Sequence, residues 1–168
     1  AATPGSERFA LASPTRLDGQ LPRVKLPAAE RGPEAWARDL FDDLWNRRRL
    51  DRVTAAYTTD VICHAGGGRR LVGVRNVQGL ILAVLAAVPD GLMSVEHVCW
   101  SEEGDGVIVA VRWRLEGRSK PGGILGDCPA GLPTVVAGIS HLRLAHGGIV
   151  EEWMMFDELG ALVSALRA

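Results

Sequence analysis

The 168 residues carry 19 Lys and Arg against 20 Asp and Glu, with 47% hydrophobic and 23% charged side chains, the proportions of one ordinary globular domain with a sizeable core. A formal charge of −1 offers no global attraction to nucleic acid or anionic lipid, so neither is expected as a partner. The longest apolar stretch, Gly79 to Val88, is about half of the roughly 20 residues a membrane-spanning helix needs and reads as a buried helix.

Three scattered cysteines, Cys63, Cys99 and Cys128, form no CxxC pair. This argues against a disulfide framework and against a structural zinc site, and fits reduced core thiols in a cytoplasm. No spacing of His, Asp, Glu or Cys builds a metal site and no nucleotide-binding fingerprint is present, so no cofactor is expected.

In chain order, residues 1–33 hold five of the nine prolines, with single hydrophobic residues spread among polar ones. This reads as an extended arm without the charge and apolar order of a signal peptide. Gly32-Pro33-Glu34 is a helix entry, and Trp36, Leu40, Leu44 and Trp45 recur at helical spacing up to the basic run Arg47-Arg48-Arg49, which reads as a solvated helix end. A short helix from about Leu50 to Tyr57 follows. Asp60 to His64 has strand character and stops at Gly66-Gly67-Gly68, and Asn76 to Val88 fits a third helix.

The period then changes to two. Met93–Trp100, Gly106–Glu116, Thr134–Ala145 and Ile149–Asp157 read as consecutive strands, with His146-Gly147 as a hairpin signal and Glu158–Leu166 as a closing helix. Helices first and a consecutive antiparallel sheet afterwards is an α+β order rather than a doubly wound one. The glycine- and proline-rich segment Ser119–Pro133 joins two of these strands.

Several pieces in this order resemble the SnoaL-like polyketide cyclase group of the nuclear-transport-factor-2-like superfamily. They are Leu44-Trp45-Asn46 with Leu50-Asp51-Arg52-Val53, Tyr57-Thr58-Thr59-Asp60-Val61, Gly73-Val74-Arg75-Asn76-Val77 and Val109-Ala110-Val111-Arg112-Trp113. The most distinctive runs from Gly138-Ile139-Ser140-His141 through Gly148-Ile149-Val150-Glu151-Glu152-Trp153 to Asp157. The resemblance spans residues 34–168 and leaves the arm uncovered. It implies a cone-shaped curved antiparallel sheet wrapped by helices around a mostly apolar pocket, a fold that serves cyclases, isomerases, dehydratases, epoxide hydrolases and non-catalytic members alike. It also implies that the Ser119–Pro133 loop covers the pocket as a lid, with Asp127 or Cys128 within reach of it.

Asp157 is the first catalytic candidate, because a matching aspartate acts as general acid/base in the cyclases that this chain resembles. Trp153, Met155 and Asp157 also share strand parity, which would place the carboxylate among apolar side chains and raise its pKa. The competing role is an N-cap for the following helix. His141 joins that face if a three-residue loop with a glycine bulge at Gly147 pairs it with residue 151. A two-residue turn would pair it with 152 and turn it away. His64, at the end of the first strand, falls near the pocket wall.

Arg112 and Arg114 alternate with Val111 and Trp113, so one pair or the other faces inward. Limonene-epoxide-hydrolase-like relatives carry Arg-x-Asp on this strand, which points Arg112 inward; the acid is Arg114 here, and that hydrolase design is disfavoured. Trp153, Met155, Tyr57 and Arg114 complete the candidate substrate contacts.

The expected function is therefore a cofactor-free cyclase or isomerase acting by acid/base catalysis on an apolar, carbonyl-bearing molecule such as a polyketide. The alternatives are a dehydratase or epoxide hydrolase, or a non-catalytic small-molecule-binding or dimerisation module. A homodimer through the convex sheet face, with Trp113 on it, is the expected assembly.

Overall fold

The computed structural model describes residues 31–167 apart from residue 105; the expected arm lies outside the described residues but for its last three. Helix α1 (Gly32–Phe41) begins with Pro at its first turn and continues through a π-helical turn, Asp42–Asn46. Its buried stripe, Ala37, Leu40, Phe41, Leu44 and Trp45, follows the helical period and faces the sheet. The basic run is an exposed helix end, as expected, and is also tied to an acid: Arg47 and Arg49 pair with Asp43 at 3.6 and 3.4 Å, and Arg52 joins them at 3.1 Å. Arg48, at φ 56, donates to the Pro89 carbonyl.

Helix α2 (Asp51–Ala56) runs directly into β1 (Tyr57–Ala65), which turns through Gly66–Gly68 into β2 (Arg69–Val72). Gly67 and Gly68 have φ of 71° and 74°, a conformation that glycine adopts without strain. The short β2 edge strand was not delineated by the sequence pattern. Helix α3 (Val74–Ala87) buries Val77, Ile81 and Val84 against the sheet. Then come β3 (Leu92–Glu103), β4 (Gly106–Arg118), β5 (Pro133–Ala145), β6 (Gly148–Phe156) and α4 (Glu158–Arg167).

The six strands form one curved sheet in the order β2-β1-β6-β5-β4-β3. All pairs are antiparallel except β1 with β6, so the chain closes by laying its last strand against its first. The helices cover one face. On it lie Cys63, Val111, Trp113, Ser140, Leu142, Glu152 and Met154, all at most 1% exposed. The opposite face is open, and Ile139, Trp153 and Met155 are exposed there.

The β5–β6 hairpin explains the register. His146 and Gly147 both have positive φ, 52° and 85°, as a two-residue turn of this hand requires, and Ala145 pairs with Gly148. A bulge then follows within the strands, where Leu144 pairs with Ile149 but Arg143 with Glu151. His141 consequently pairs with Trp153 and does share a face with Asp157, through a bulge in the strand rather than in the turn.

The segment 119–132 is no free flap. A Cβ on Gly123 would overlap the Ala83 carbonyl of α3, Leu125 and Cys128 are buried, and Lys120 N donates to Ala87 O at 2.8 Å. Ser119 Oγ ties the loop's ends by donating to Pro129 O at 2.6 Å and accepting from Leu132 N at 3.1 Å. The loop is packed against α3 and α4.

Candidate active site

The buried face of the sheet carries one carboxyl at its centre. Glu152 sits mid-strand in β6 with Cys63 beside it on β1 and Leu142 on β5, and is fully buried. Tyr57, the first residue of β1, donates its hydroxyl to Glu152 Oε2 at 2.8 Å. Oε1 has no hydrogen-bond partner among the described residues.

Burial raises the Glu152 carboxyl from its ordinary 4.5 to about 7, against the opposing pull of the Tyr57 and Ser140 hydroxyls. Although the Ser140 hydroxyl is near enough to exert that pull, it makes no well-aligned bond to Oε1. Desolvation favours the uncharged form of an acid while donated hydrogen bonds favour its anion, and here the first effect wins. The same burial, with Glu152 adjacent, pushes the Tyr57 phenol and the Cys63 thiol upward, so both stay protonated near neutrality.

Trp113 supports this cluster from β4. Its indole N–H donates to Ser140 Oγ at 3.3 Å, and its ring stacks on Trp45 of the π-helical turn at 5.9 Å between centroids. Gly138 makes room for it, since a Cβ there would overlap the indole. The result is a polar line, Trp113–Ser140–Glu152–Tyr57, inside an apolar shell.

The residues expected from sequence fall mostly on the other face. Asp157 is exposed and accepts from the Gly160 N–H at 2.7 Å, at the start of α4; it has the cap geometry rather than a desolvated setting. Arg112 is 60% exposed and pairs with Glu96 at 2.9 Å. Arg114 pairs with Glu116 and also points outward. Trp113, expected on the convex face, is instead fully buried. The alternation of β4 was read correctly, but the inward member is the apolar one.

The outer-face residues nevertheless come together. The His64 ring stacks on Trp153 at 5.4 Å and 11°, and its Nε2 lies 2.9 Å from Glu151 Oε1. Arg143 donates to the second Glu151 oxygen at 3.3 Å, and His141 is the cross-strand neighbour of Trp153. A separate shallow groove of about 370 Å³ is lined among others by Arg112, Trp113, Ile139, Met155, Phe156 and Asp157. Of the eight residues expected at the site, only Tyr57 faces the interior carboxyl. Glu152 lies on the strand parity opposite to the set chosen from the sequence, and the signal that finds it is the alternation Glu152, Met154, Phe156, which has the same period. His97 is exposed, and His146 forms the turn that His146-Gly147 signals in the sequence. Cys99 is exposed, not a core thiol.

A six-stranded curved sheet with helices over one face is an α+β fold of the nuclear-transport-factor-2-like and ketosteroid-isomerase-like kind. The SnoaL-like polyketide cyclase family matches residues 35–163, and the chain belongs to that family. No curated protein matches it significantly.

Three solved structures illustrate the range of its neighbours. AclR from Streptomyces galilaeus, provisionally assigned as a hydroxylase, superposes with a TM-score of 0.65 at 22% identity, covering 84% of this chain and 87% of that one. A provisionally assigned SnoaL-like polyketide cyclase from Jannaschia sp. CCS1 gives 0.62 at 25% identity, covering 80% and 90%. An epoxide hydrolase of the limonene-epoxide-hydrolase type from M. tuberculosis gives 0.52 at 18% identity, covering 79% and 88%. No helix among the described residues is long and apolar enough to cross a membrane.

Proposed function

We propose that this chain is a cofactor-independent enzyme of the cyclase or isomerase type, using Glu152 to take and return a proton on an apolar, carbonyl-bearing small molecule such as a polyketide. The observation that carries the reading is a fully buried carboxyl with one oxygen held by Tyr57 and the other without a hydrogen-bond partner among the described residues, its pKa raised by burial to about 7. A pKa near the working pH suits a group that must act as base and then as acid. Oε1 removes the proton from the carbon beside the carbonyl, the electron pair moves onto the carbonyl oxygen, and the same oxygen returns the proton at the new position. Asp157, His141, His64 and Arg112 take no part in this step.

A homodimer completes the proposal. Ile139, Met155 and Trp153 are 47%, 56% and 38% exposed on the open sheet face, and mixed-sign pairs such as Arg112–Glu96 and Arg143–Glu151 flank them. A two-fold partner can meet both signs with its own. Met155→Glu should convert the dimer to a monomer in sedimentation. The three free thiols agree with a cytoplasmic setting.

The catalytic reading is tested by deuterium exchange at the α-carbon of an apolar cyclic ketone. Glu152→Gln should slow exchange by about a hundredfold or more, the usual contribution of a positioned acid/base, while Asp157→Asn leaves it nearly unchanged. Exchange that survives in Glu152→Gln, or that disappears in Asp157→Asn, refutes the assignment. Ligand binding with no exchange in the unaltered protein favours the non-catalytic binding module.

A further inference from the structure

The basic run Arg47-Arg48-Arg49 plays no part in the reaction at Glu152, yet the backbone around it is unusual. Asp42–Asn46 is a π-helical turn, and Arg48 takes the left-handed conformation at φ 56. Both are uncommon, and π turns recur at functional sites. Together they bring Arg47 and Arg49, with Arg52 of α2, onto Asp43, a carboxylate only 8% exposed.

These guanidiniums gather as charges and keep most of their hydrogen-bonding capacity. Each fork carries several N–H donors, but among the described residues only Arg49 Nη1 is aligned on an acceptor, Asp43 Oδ1 at 3.4 Å. Arg47 beside Asp42 at 2.8 Å and Arg52 beside Asp43 at 3.1 Å are ion pairs without hydrogen-bond alignment. Arg48 and Arg118, by contrast, donate to the backbone carbonyls of Pro89 and Gly131. Donors therefore converge here without acceptors to match, an arrangement that an oxyanion completes.

A cavity of about 310 Å³ opens at this point, walled by Arg31, Arg47, Arg49 and Arg52 and by Asp39, Asp42 and Asp43. Four cations against three anions attract an anion rather than a cation. The volume exceeds what a bare phosphate fills, and no apolar side chain lines it, which disfavours a lipid or aromatic body. Asp39 and Asp42 are instead acceptors for hydroxyl groups. We propose that this cavity binds a phosphate monoester of a polyhydroxylated molecule, of the sugar-phosphate kind. Arg47, Arg49 and Arg52 hold the phosphate oxygens, and Asp39 and Asp42 accept from the hydroxyls. A tetrahedral phosphate offers an oxygen to each of these forks, which a carboxylate does not. The site is separate from Glu152 and does not rest on the enzyme reading.

The test is calorimetric titration of the full chain, at an ionic strength of about 0.05 M where exposed charges are least screened, with ribose 5-phosphate, inorganic phosphate, butyl phosphate and ribose. Ribose 5-phosphate should bind at least about threefold tighter than inorganic phosphate or butyl phosphate, and ribose should not bind measurably. Arg49→Gln and Arg52→Gln should each weaken ribose 5-phosphate at least about fivefold, since each removes charge-assisted donors. Arg114→Gln removes the same charge from β4 and should change the affinity by less than about twofold. In the unaltered protein the side-chain N–H resonances of Arg47, Arg49 and Arg52 should shift along the same titration, which reads the site without any substitution. No binding of ribose 5-phosphate, an affinity no greater than that of inorganic phosphate or butyl phosphate, an equal loss in Arg114→Gln, or arginine resonances that stay in place overturns the inference.

Discussion

Replacing Glu152 by Gln should stabilise the protein at alkaline pH and leave it nearly unchanged in acid. The folded carboxyl titrates at about 7 instead of its ordinary 4.5. Between those two values the folded chain holds a proton that the unfolded chain has lost, so stability falls as pH rises through this window. Below it the group contributes nothing to the difference, and above it the whole penalty is present. At about 1.4 kcal/mol per pH unit, the penalty approaches about 3 kcal/mol by pH 8. Gln keeps an acceptor for the Tyr57 hydroxyl and never ionises, so the variant avoids this loss. For a domain of this size each kcal/mol shifts Tm by about 2–4 °C, which makes the gain about 6–12 °C at pH 8. The assay is urea unfolding of both proteins from about pH 5 to pH 8.5, with the difference between them cancelling the titration of every other group. A variant that is less stable by the same amount at all pH values would refute the reasoning, because it would mean that the carboxyl is not held in a desolvated site.

Two further substitutions test other parts of the structure. Gly138→Ala drives a methyl group into the Trp113 indole and should cost about 1–3 kcal/mol, with a change in tryptophan fluorescence as Trp113 leaves its stack on Trp45; an unaffected midpoint would mean that the two strands are not in this register. Asp157→Ala removes the acceptor for the Gly160 N–H and should cost about 1 kcal/mol of stability without moving the Glu152 titration observed by carbon-13 carboxyl resonances; a shift in that titration would place Asp157 in electrical contact with the interior.

The element order was legible because each element carried its own local signal: Gly32-Pro33-Glu34 for α1, an apolar run for α3, and period-two texture from β3 onward. Two features were not legible. The β2 strand spans four residues, Arg69–Val72, two of them arginines, and exists because the Gly66–Gly68 turn folds it back on β1, a tertiary cause with no local trace. The start of β1 lay hidden in the same way, since Tyr57-Thr58-Thr59 continues the preceding helix in pattern and only pairing with β6 draws it into the sheet.

The candidate site was misread for a more general reason. Alternation along a strand separates two faces but does not say which of them the helices cover. In β6 the sets Trp153, Met155, Asp157 and Glu152, Met154, Phe156 are nearly equal in apolar character, so either one fits a core. The choice is made elsewhere, by neighbours: Gly138 on β5 is the residue without a side chain and Trp113 on β4 is the one that fills its place, so the face that holds both must be the packed one. Following those pairings from β4 to β6 brings Phe156 opposite Gly138 and carries Glu152 inward with it. A glycine facing a tryptophan across two strands therefore assigns the buried face, and once it does, the lone acid in that set becomes the residue whose burial needs a chemical explanation.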